Sequence, residues 1–407
     1  MERNVRWRRS WRRDAPVLAA AALAACLLLG LFASSAGAAA RRAASNPFDG
    51  TGMWIWVTTR SSGGSPAAIG AKARRYGIRS VYVKSSDGTN MWSAFNKPYV
   101  AALKAQGLKV CGWQYVYGRA PETEAKLGAT AVQRGADCLI IDAESEYEGR
   151  YAQADRYIRA LRARIGSSYP LGVAPFPYVD YHLSFPYSVF LGPNGAQYNL
   201  PQMYWKAIGT SVDAVFSHTY TYNRLYGRRI YPLGQLYENP APSSILRFRT
   251  LAIAYGASGV NWWDWQEATN RGWNALVAPL ITRASAPRLG YPTLRKGARG
   301  DLVVWAQEHL VSAGFPVKVD GGLGNATRAT LLRFQAAKGL PQTGAVDSST
   351  WPALLRYAAT AVAWGKARSS TRAASASVAA AGGASQPASA NIPARAREIP
   401  PKVHGRG

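Results

Sequence analysis

The chain has 407 residues and a formal net charge of +27, with 49 lysines and arginines against 22 aspartates and glutamates. At about 100–200 residues per domain, this length predicts two or three domains and excludes a single small module. Hydrophobic residues make up 48% of the chain, which excludes disorder throughout. With four histidines and three cysteines, the chain has little material for a zinc site, so we predict neither a metal nor another cofactor.

The positive charge is spread along the chain and is densest at its two ends. Because no single groove rich in lysine and arginine stands out, we do not predict a nucleic-acid partner. Anionic polymers around the protein are compatible with this charge.

The first 40 residues have the layout of a secretory signal peptide. Arginines up to Arg13 precede an apolar stretch from Ala15 to Ala33, and small residues around Ala38 offer a cleavage site. Cleavage predicts a secreted, extracellular protein. The alternatives are a retained membrane anchor, for which the stretch is long enough, and acylation at Cys26. Residues 41–51 are expected to form a linker.

Two cysteines, Cys111 and Cys138, would remain after cleavage of the signal. An oxidising compartment permits them to pair, and they fall on neighbouring predicted strands. The alternative is two buried thiols that act as small hydrophobic side chains, because a disulfide requires a narrow geometry.

Short apolar runs recur from residue 52 onward with helix-like segments between them, which is typical of a parallel sheet with crossover helices. The eight runs are Met53–Val57, Ser80–Lys84, Lys109–Tyr115, Cys138–Glu144, Leu171–Phe176, Asn199–Trp205, Ile230–Leu236 and Gly259–Trp265. Eight units in about 240 residues predict an α/β fold, a (β/α)8 barrel of the TIM type over residues 52–285. The alternative is a doubly wound open sheet, but no Gly-x-Gly-x-x-Gly turn follows the first run.

Two carboxylates end the fourth predicted strand. The two-residue period of a strand places Asp142 and Glu144 on one face and Ala143 on the other. Both should point into the mouth of the barrel, which we define as the end where the strands finish and where barrel active sites lie. Repulsion favours one protonated and one ionised carboxyl, as cleavage of a glycosidic bond requires. The alternative is that Asp142 caps or pairs with residues 145–150.

Polar and aromatic side chains collect at the other predicted strand ends. Flat aromatic faces beside polar groups suit sugar rings, although half or more of the aromatic residues would instead fill the barrel or pack under helices. We predict that the substrate is bound by Asp87, Tyr115, Asp180, Gln202, Tyr204, Trp205, Glu238, Trp263, Asp264 and Gln266.

The order of these strand ends resembles that of glycoside-hydrolase barrels of the family 25 lysozyme kind. The resemblance rests on Asp142 and Glu144 and on the segments 201–205 and 262–266. In that family the first strand carries an aspartate, whereas segment 52–57 has none. The fourth strand also resembles the chitinase run Asp-x-x-Asp-x-Asp-x-Glu, with an isoleucine at its middle Asp position. Both comparisons imply that Asp142 and Glu144 are catalytic.

Residues 286–357 predict a small all-α domain of three amphipathic helices, with a Gly-rich loop before the second. The helices are Leu302–Ala313, Asn325–Lys338 and Ser348–Tyr357. The segment resembles the peptidoglycan-binding domain along its whole length, which implies peptidoglycan or another cell-wall glycan as the partner. The residues that carry the resemblance include Gly300, Asp301, Gln307, Asp320, Gly321, Phe334, Gln335, Thr350 and Trp351.

Residues 358–407 are rich in alanine, serine and proline and carry scattered basic residues. We expect a disordered basic tail, which either binds anionic wall polymers or is simply a solvated end.

These features favour an exported, cell-wall-associated glycoside hydrolase that acts on peptidoglycan or a related amino-sugar glycan. The alternative is a non-catalytic wall-binding protein whose barrel holds a glycan without cleaving it. A zinc amidase or peptidase is not expected, because the four histidines are widely spaced and form no His-Glu-x-x-His pair.

Overall fold

The computed structural model describes residues 46–280 and 283–364. The predicted signal segment at residues 1–40 and most of the predicted basic tail lie outside the described residues. Within the described ranges, no helix is both long and apolar enough to cross a membrane. The described residues from Pro47 onward form one compact unit.

A parallel sheet closes on itself to form the barrel. The strands are β1 (Gly50–Ile55), β2 (Ile78–Asp87), β3 (Asn90–Met91), β4 (Lys109–Val116), β5 (Cys138–Ala143), β6 (Leu171–Val173), β7 (Tyr198–Asn199), β8 (Arg229–Ile230), β9 (Leu233–Gln235) and β10 (Gly259–Trp263). Their order is β8-β7-β6-β5-β4-β2-β1-β10-β9, and β3 pairs antiparallel with β2. Because Tyr231 and Pro232 alone separate β8 from β9, these two form one strand position, and the predicted (β/α)8 barrel is confirmed.

Helices cover the outside of the sheet. They are α1 (Pro66–Arg75), α2 (Lys97–Ala105), α3 (Pro121–Gln133), α4 (Tyr151–Ile165), α5 (Tyr187–Phe190), α6 (Trp205–Ile208), α7 (Val212–Asn223), α8 (Pro242–Ala254) and α9 (Asn270–Val277). Several of them begin at a residue that caps the helix. The side chains of Asn96 and Ser211, for example, accept hydrogen bonds from the backbone N–H of the third residue of α2 and of α7, respectively.

Two hydrophobic layers follow from the alternation of side chains along the strands. In β1, Met53 and Ile55 pack toward the helices, whereas Trp54 points into the barrel. The interior is filled mainly by large aromatic side chains, so the barrel is a packed core and not a pore. The interior layer includes Phe48, Trp54, Tyr82, Trp113, Tyr115, Ile140, Leu200, Tyr204, Leu233 and Trp263.

The chain enters the barrel earlier than the sequence indicated. β1 begins at Gly50, inside the segment expected to be a linker, and Phe48 is only 1% exposed. The ring of Phe48 lies 4.7 Å from that of Tyr198. The buried ring of Phe48 therefore closes the end of the barrel opposite the mouth, just before the first strand begins.

Cys111 and Cys138 form a disulfide across β4 and β5. They are direct partners in the register of this strand pair, and their Cα atoms are 4.6 Å apart. Of the two interpretations that the sequence left open, the structure has the disulfide, which fits an oxidising compartment.

The C-terminal region holds three further helices, α10 (Asp301–Ser312), α11 (Asn325–Ala337) and α12 (Thr350–Leu354). The buried side chain of Gln307 accepts hydrogen bonds from the backbone N–H groups of Asp320 and Gly321 and donates to the carbonyl of Gly322. Gln307, Asp320 and Gly321, which carry the resemblance to the peptidoglycan-binding domain, therefore shape the loop between α10 and α11.

Helix α10 also contacts the barrel. Asp301 accepts hydrogen bonds from the backbone N–H and the hydroxyl of Ser188, at 2.9 and 2.7 Å, and from the hydroxyl of Tyr226 at 2.7 Å. The indole of Trp305 donates to the carbonyl of Leu225 at 2.8 Å. Buried hydrogen bonds thus fix the helical domain against the barrel.

The first residues of the predicted tail are ordered. The backbone N–H of Trp364 donates to Asp155 of α4 at 2.9 Å, and its ring lies 4.5 Å from that of Tyr151. Residues 358–364 therefore return to the barrel, a correction to the expectation of disorder from residue 358. The contact between the indole of Trp364 and the ring of Tyr151 accounts for this order. The rest of the predicted tail lies outside the described residues.

Candidate active site

Asp142 and Glu144 lie at the end of β5 and share one hydrogen-bond donor. Nε2 of Gln202 is 3.2 Å from Oδ1 of Asp142 and 3.0 Å from Oε1 of Glu144. Asp142 is 0% exposed and Glu144 is 5% exposed. The structure therefore brings three of the predicted site residues into one buried polar cluster, which we call the Gln202 clamp.

The position of Gln202 follows from the end of β7. The residue forms an isolated bridge with Leu233 of β9, and its Nε2 also donates to the carbonyl of Ala174 at 3.1 Å. A neutral amide between two carboxylates offers both a donor without adding a counter-charge. The clamp thus holds the two carboxylates close without forming an ion pair.

Tyr115, at the end of β4, lies beside the clamp. Its hydroxyl donates to Glu146 at 2.9 Å. Burial, followed by the charges of Glu144, Glu146 and Asp142, raises the pKa of Tyr115 far above its ordinary value. The hydroxyl therefore stays protonated and acts as a donor at the acidic side of the mouth.

Asp87 is held by two neighbours at the end of β2. Its Oδ2 lies 2.6 Å from Nζ of Lys84, and its Oδ1 accepts a hydrogen bond from the hydroxyl of Tyr117 at 2.9 Å. Lys84 is 1% exposed and lies 4.5 Å from the ring of Trp92 and 5.2 Å from that of Trp113. Asp87 thus lies at the mouth as one half of an ion pair whose lysine packs against two tryptophan rings.

Tyr204 stands between the clamp and the end of β10. Burial, and then Tyr237, Asp142, Glu144 and Asp264, raise the pKa of Tyr204 well above its ordinary value. Its hydroxyl is buried and has no hydrogen-bond partner among the described residues. The structure thus holds a protonated, buried hydroxyl close to three carboxylates.

Trp263 and Asp264 occupy the end of β10, joined by a cis peptide bond. The Trp263 ring lies 5.6 Å from Trp54 and 5.4 Å from Trp113, so it packs on the aromatic interior and is 4% exposed. Asp264 is buried and accepts a hydrogen bond from the backbone N–H of Glu267 at 3.3 Å.

Two further predicted residues lie around the rim. Oε1 of Gln266 accepts a hydrogen bond from the backbone N–H of Val57 at 2.8 Å, while its Nε2 is buried and unpartnered among the described residues. Glu238 accepts a hydrogen bond from Nε2 of Gln235 at 3.2 Å. Gln266 thus links the ends of β10 and β1, whereas Glu238 bonds back to the end of β9, the strand that it follows.

The structure places Trp205 and Asp180 away from this cluster. Trp205 begins α6, where the chain turns from strand to helix, and its ring packs outward 5.1 Å from that of Phe248. It is 4% exposed, so it fills the layer between sheet and helices and does not line the mouth. Asp180 pairs with His218 of α7 at 2.6 Å, in a separate loop cluster.

Sequence reasoning missed Lys84, Glu146 and the bridging role of Gln202. Lys84 interrupts an apolar strand run, which is a usable signal because an unpaired lysine is costly to bury. Nothing local to Gln202 indicates a bridge, since its partners are 58 and 60 residues away in sequence. Across residues 46–280 and 283–364, no group of three or more His, Cys, Asp or Glu residues could hold a metal ion.

Comparison with known proteins gives a family for the C-terminal domain alone. Residues 299–354 match the family model described as a putative peptidoglycan binding domain. No curated protein matches the chain.

Several solved structures are similar to the barrel. They include a chitinase from Chromobacterium violaceum, with 13% identity over 58% of this chain and 100% of that chain and a TM-score of 0.43. The spore cortex-lytic enzyme SleL of Bacillus megaterium has 11% identity over 56% of this chain and 73% of that chain, with a TM-score of 0.40. A sugar phosphate isomerase/epimerase from Parabacteroides distasonis has 11% identity over 57% of this chain and 100% of that chain, with a TM-score of 0.39.

Similarities this low carry no argument about activity, so the resemblance to family 25 stays a prediction from the sequence. The assignment of the barrel rests on the order of its own strands. The described residues therefore form a TIM-type barrel followed by a domain that matches the peptidoglycan-binding family.

Proposed function

We propose that the barrel is a glycoside hydrolase that cleaves the glycan of peptidoglycan or a related amino-sugar polymer. The C-terminal domain would hold it on the wall, and the predicted signal would export it. The observation that carries the proposal is the Gln202 clamp, in which two buried carboxylates meet at the end of a barrel strand.

Exposure separates the roles of the two carboxylates. Asp142 is fully buried, so it orients the substrate or stabilises positive charge at the reacting sugar. Glu144 retains 5% exposure at the strand end and would give a proton to the leaving oxygen and later accept one from water.

A nucleophile is also required if the reaction retains configuration. The 2-acetamido group of an amino sugar would serve, with its oxygen attacking the anomeric carbon while Asp142 supports the developing positive charge. The hydroxyl of Tyr204 would donate to this substrate, since it is buried without a partner among the described residues. Trp263 would provide an apolar surface for the sugar ring.

The experiment is a comparison of reducing ends released from purified peptidoglycan by the wild type and by Glu144→Gln. Loss of a general acid/base of this kind lowers the rate by roughly 10²–10⁴-fold. Glu122→Gln, a half-exposed glutamate on α3, is the matched control and should retain full activity. Retained activity in Glu144→Gln would overturn the assignment.

A second candidate is a wall-binding protein whose barrel holds a glycan without turnover. The observation that favours it is the end of β1, where the family 25 resemblance expects an aspartate and the chain has Trp54 and Trp56. This candidate predicts binding to sacculi with no reducing ends from the wild type.

A further inference from the structure

The face of the barrel opposite the mouth, where the strands begin, holds a cavity of about 710 Å³. Its walls come from the turn after α7, from the segment that joins α8 to β10, and from Ala286 and Leu289. Three arginines line it, Arg224, Arg228 and Arg229. The proposed activity uses none of these residues.

The bonds of two of these arginines leave their charge unneutralised. Arg224 donates to the carbonyl of Gly290 at 2.7 Å, and its Nε is buried without a partner among the described residues. Arg228 donates from Nε to the carbonyl of Leu191 at 2.6 Å. Carbonyl groups carry no net charge. In the described ranges the ion pairs of arginine are those of Arg156, Arg159 and Arg247.

The basic surface continues beyond this cavity. Arg228 also lines a second cavity of about 220 Å³ on the same face, together with Arg159 and Arg162. Burial, and then the positive charge of Arg228, lower the pKa of Arg162 to about 10. Because both side chains line this cavity, their positive charges repel each other, a cost that an anion beside them would offset.

Asp155 and Asp49 lie near this face and have partners of their own, and an ion pair neutralises the first of the two. Asp155 pairs with Arg159 at 2.7 Å. Asp49 accepts hydrogen bonds from the hydroxyl of Tyr231 at 2.9 Å and from that of Ser258 at 2.6 Å. The two ends of the barrel thus differ in charge, because the mouth gathers Asp142, Glu144 and further acids whereas this face gathers arginines.

We propose that this arginine-lined face is a second binding site, for a phosphodiester-linked anionic glycan or polyol chain. The site is independent of the proposed cleavage of peptidoglycan. Guanidinium groups match phosphate oxygens with paired N–H donors, which favours phosphate over a single carboxylate. Tyr220, Tyr255 and Leu289 give the cavity apolar walls for the carbon skeleton between phosphates. An anionic chain held here would be kept away from the acidic mouth.

The test titrates the full chain with a defined glycerol-phosphate oligomer and follows binding by calorimetry. The triple variant Arg224→Gln, Arg228→Gln, Arg229→Gln should bind at least ~10-fold more weakly. The matched control removes the same charge from arginines outside both cavities, as Arg74→Gln, Arg75→Gln, Arg271→Gln, and should bind within about twofold of the wild type.

Arg224 and Arg228 also fix loops, so the single variant Arg229→Gln guards against misfolding and should weaken binding on its own by roughly two- to fivefold. Glu144→Gln should bind the oligomer like the wild type, which separates this site from the proposed activity. An equal loss in the two triple variants would overturn the proposal in favour of general charge attraction. Equal affinity for a hyaluronate oligomer of the same charge would overturn the choice of phosphate.

Discussion

Gln202 donates a hydrogen bond from Nε2 to Oε1 of Glu144 at 3.0 Å, from the segment after β7 to the residue that follows β5. The same nitrogen serves Asp142, so a single amide organises both proposed catalytic carboxylates. The first prediction concerns this amide.

Replacing Gln202 by leucine removes the shared donor and leaves two buried carboxylates facing an apolar side chain. A buried polar group that loses its partner costs about 1–3 kcal/mol. We expect a lower unfolding temperature and at least ~10-fold less turnover, because Glu144 is no longer held in place. Gln133→Leu, at the exposed end of α3, is the control and should change neither quantity. Unaltered turnover in Gln202→Leu would show that the clamp does not position Glu144.

The second prediction concerns the substrate. If the acetamido oxygen is the nucleophile, peptidoglycan whose amino sugars are chemically de-N-acetylated should be hydrolysed at least ~10²-fold more slowly, since the barrier loses its intramolecular attack. Chemical re-acetylation should restore the release of reducing ends. Equal rates on both substrates would instead assign the nucleophile to a protein carboxylate such as Asp264.

The third prediction is a pH dependence of stability that arises at Glu308 of α10. The side chain is 2% exposed, and burial, followed by the charge of Asp301, raises its pKa from 4.5 to about 9. The folded protein therefore binds an extra proton between these two values. The stabilisation is fully present below pH 4.5 and is lost as the pH rises toward 9, by on the order of a few kcal/mol.

Thermal unfolding at pH 5, 7 and 9 measures this effect. Glu308→Gln keeps the shape of the side chain without the proton and should flatten the decline in unfolding temperature. Glu122→Gln, which removes a more exposed carboxylate, should retain the decline seen in the wild type. If Glu308→Gln and the wild type decline in parallel, another group is responsible.

The fourth prediction concerns the disulfide between Cys111 and Cys138, which spans 27 residues. Closing a loop of this length is worth about 3–4 kcal/mol through the unfolded chain. The double variant Cys111→Ala, Cys138→Ala should therefore unfold at a lower temperature than the oxidised wild type. Reductant should lower the unfolding temperature of the wild type and leave that of the variant unchanged. An unfolding temperature of the wild type that does not respond to reductant would contradict the bond.

The sequence predicted the barrel well because buried parallel strands read as short apolar runs, such as Leu139–Ile141 in β5. It predicted that the carboxylates of Asp142 and Glu144 lie together, because strand periodicity alone determines which side chains share a face. Trp205 was misplaced for a related reason. The apolar run predicts one strand through residue 205, whereas β7 ends at Asn199 and a helix begins at Trp205, so the two-residue period no longer holds.

Long-range partners account for what the sequence did not show. The bridge from Gln202 to two acids and the return of Trp364 to Asp155 join residues far apart in the chain. These contacts form only once the barrel has closed and α10 has packed against it. No local sequence pattern indicates either event. The tryptophan rings near Lys84 likewise come from three separate parts of the chain, at Trp56, Trp92 and Trp113.

The most direct test of the central claim is mass spectrometry of the soluble fragments that the protein releases from purified sacculi. We predict muropeptides with newly formed reducing ends and intact stem peptides, and none above background from Glu144→Gln. Fragments cleaved at the amide between sugar and peptide, or an absence of soluble fragments from the wild type, would contradict a glycoside hydrolase.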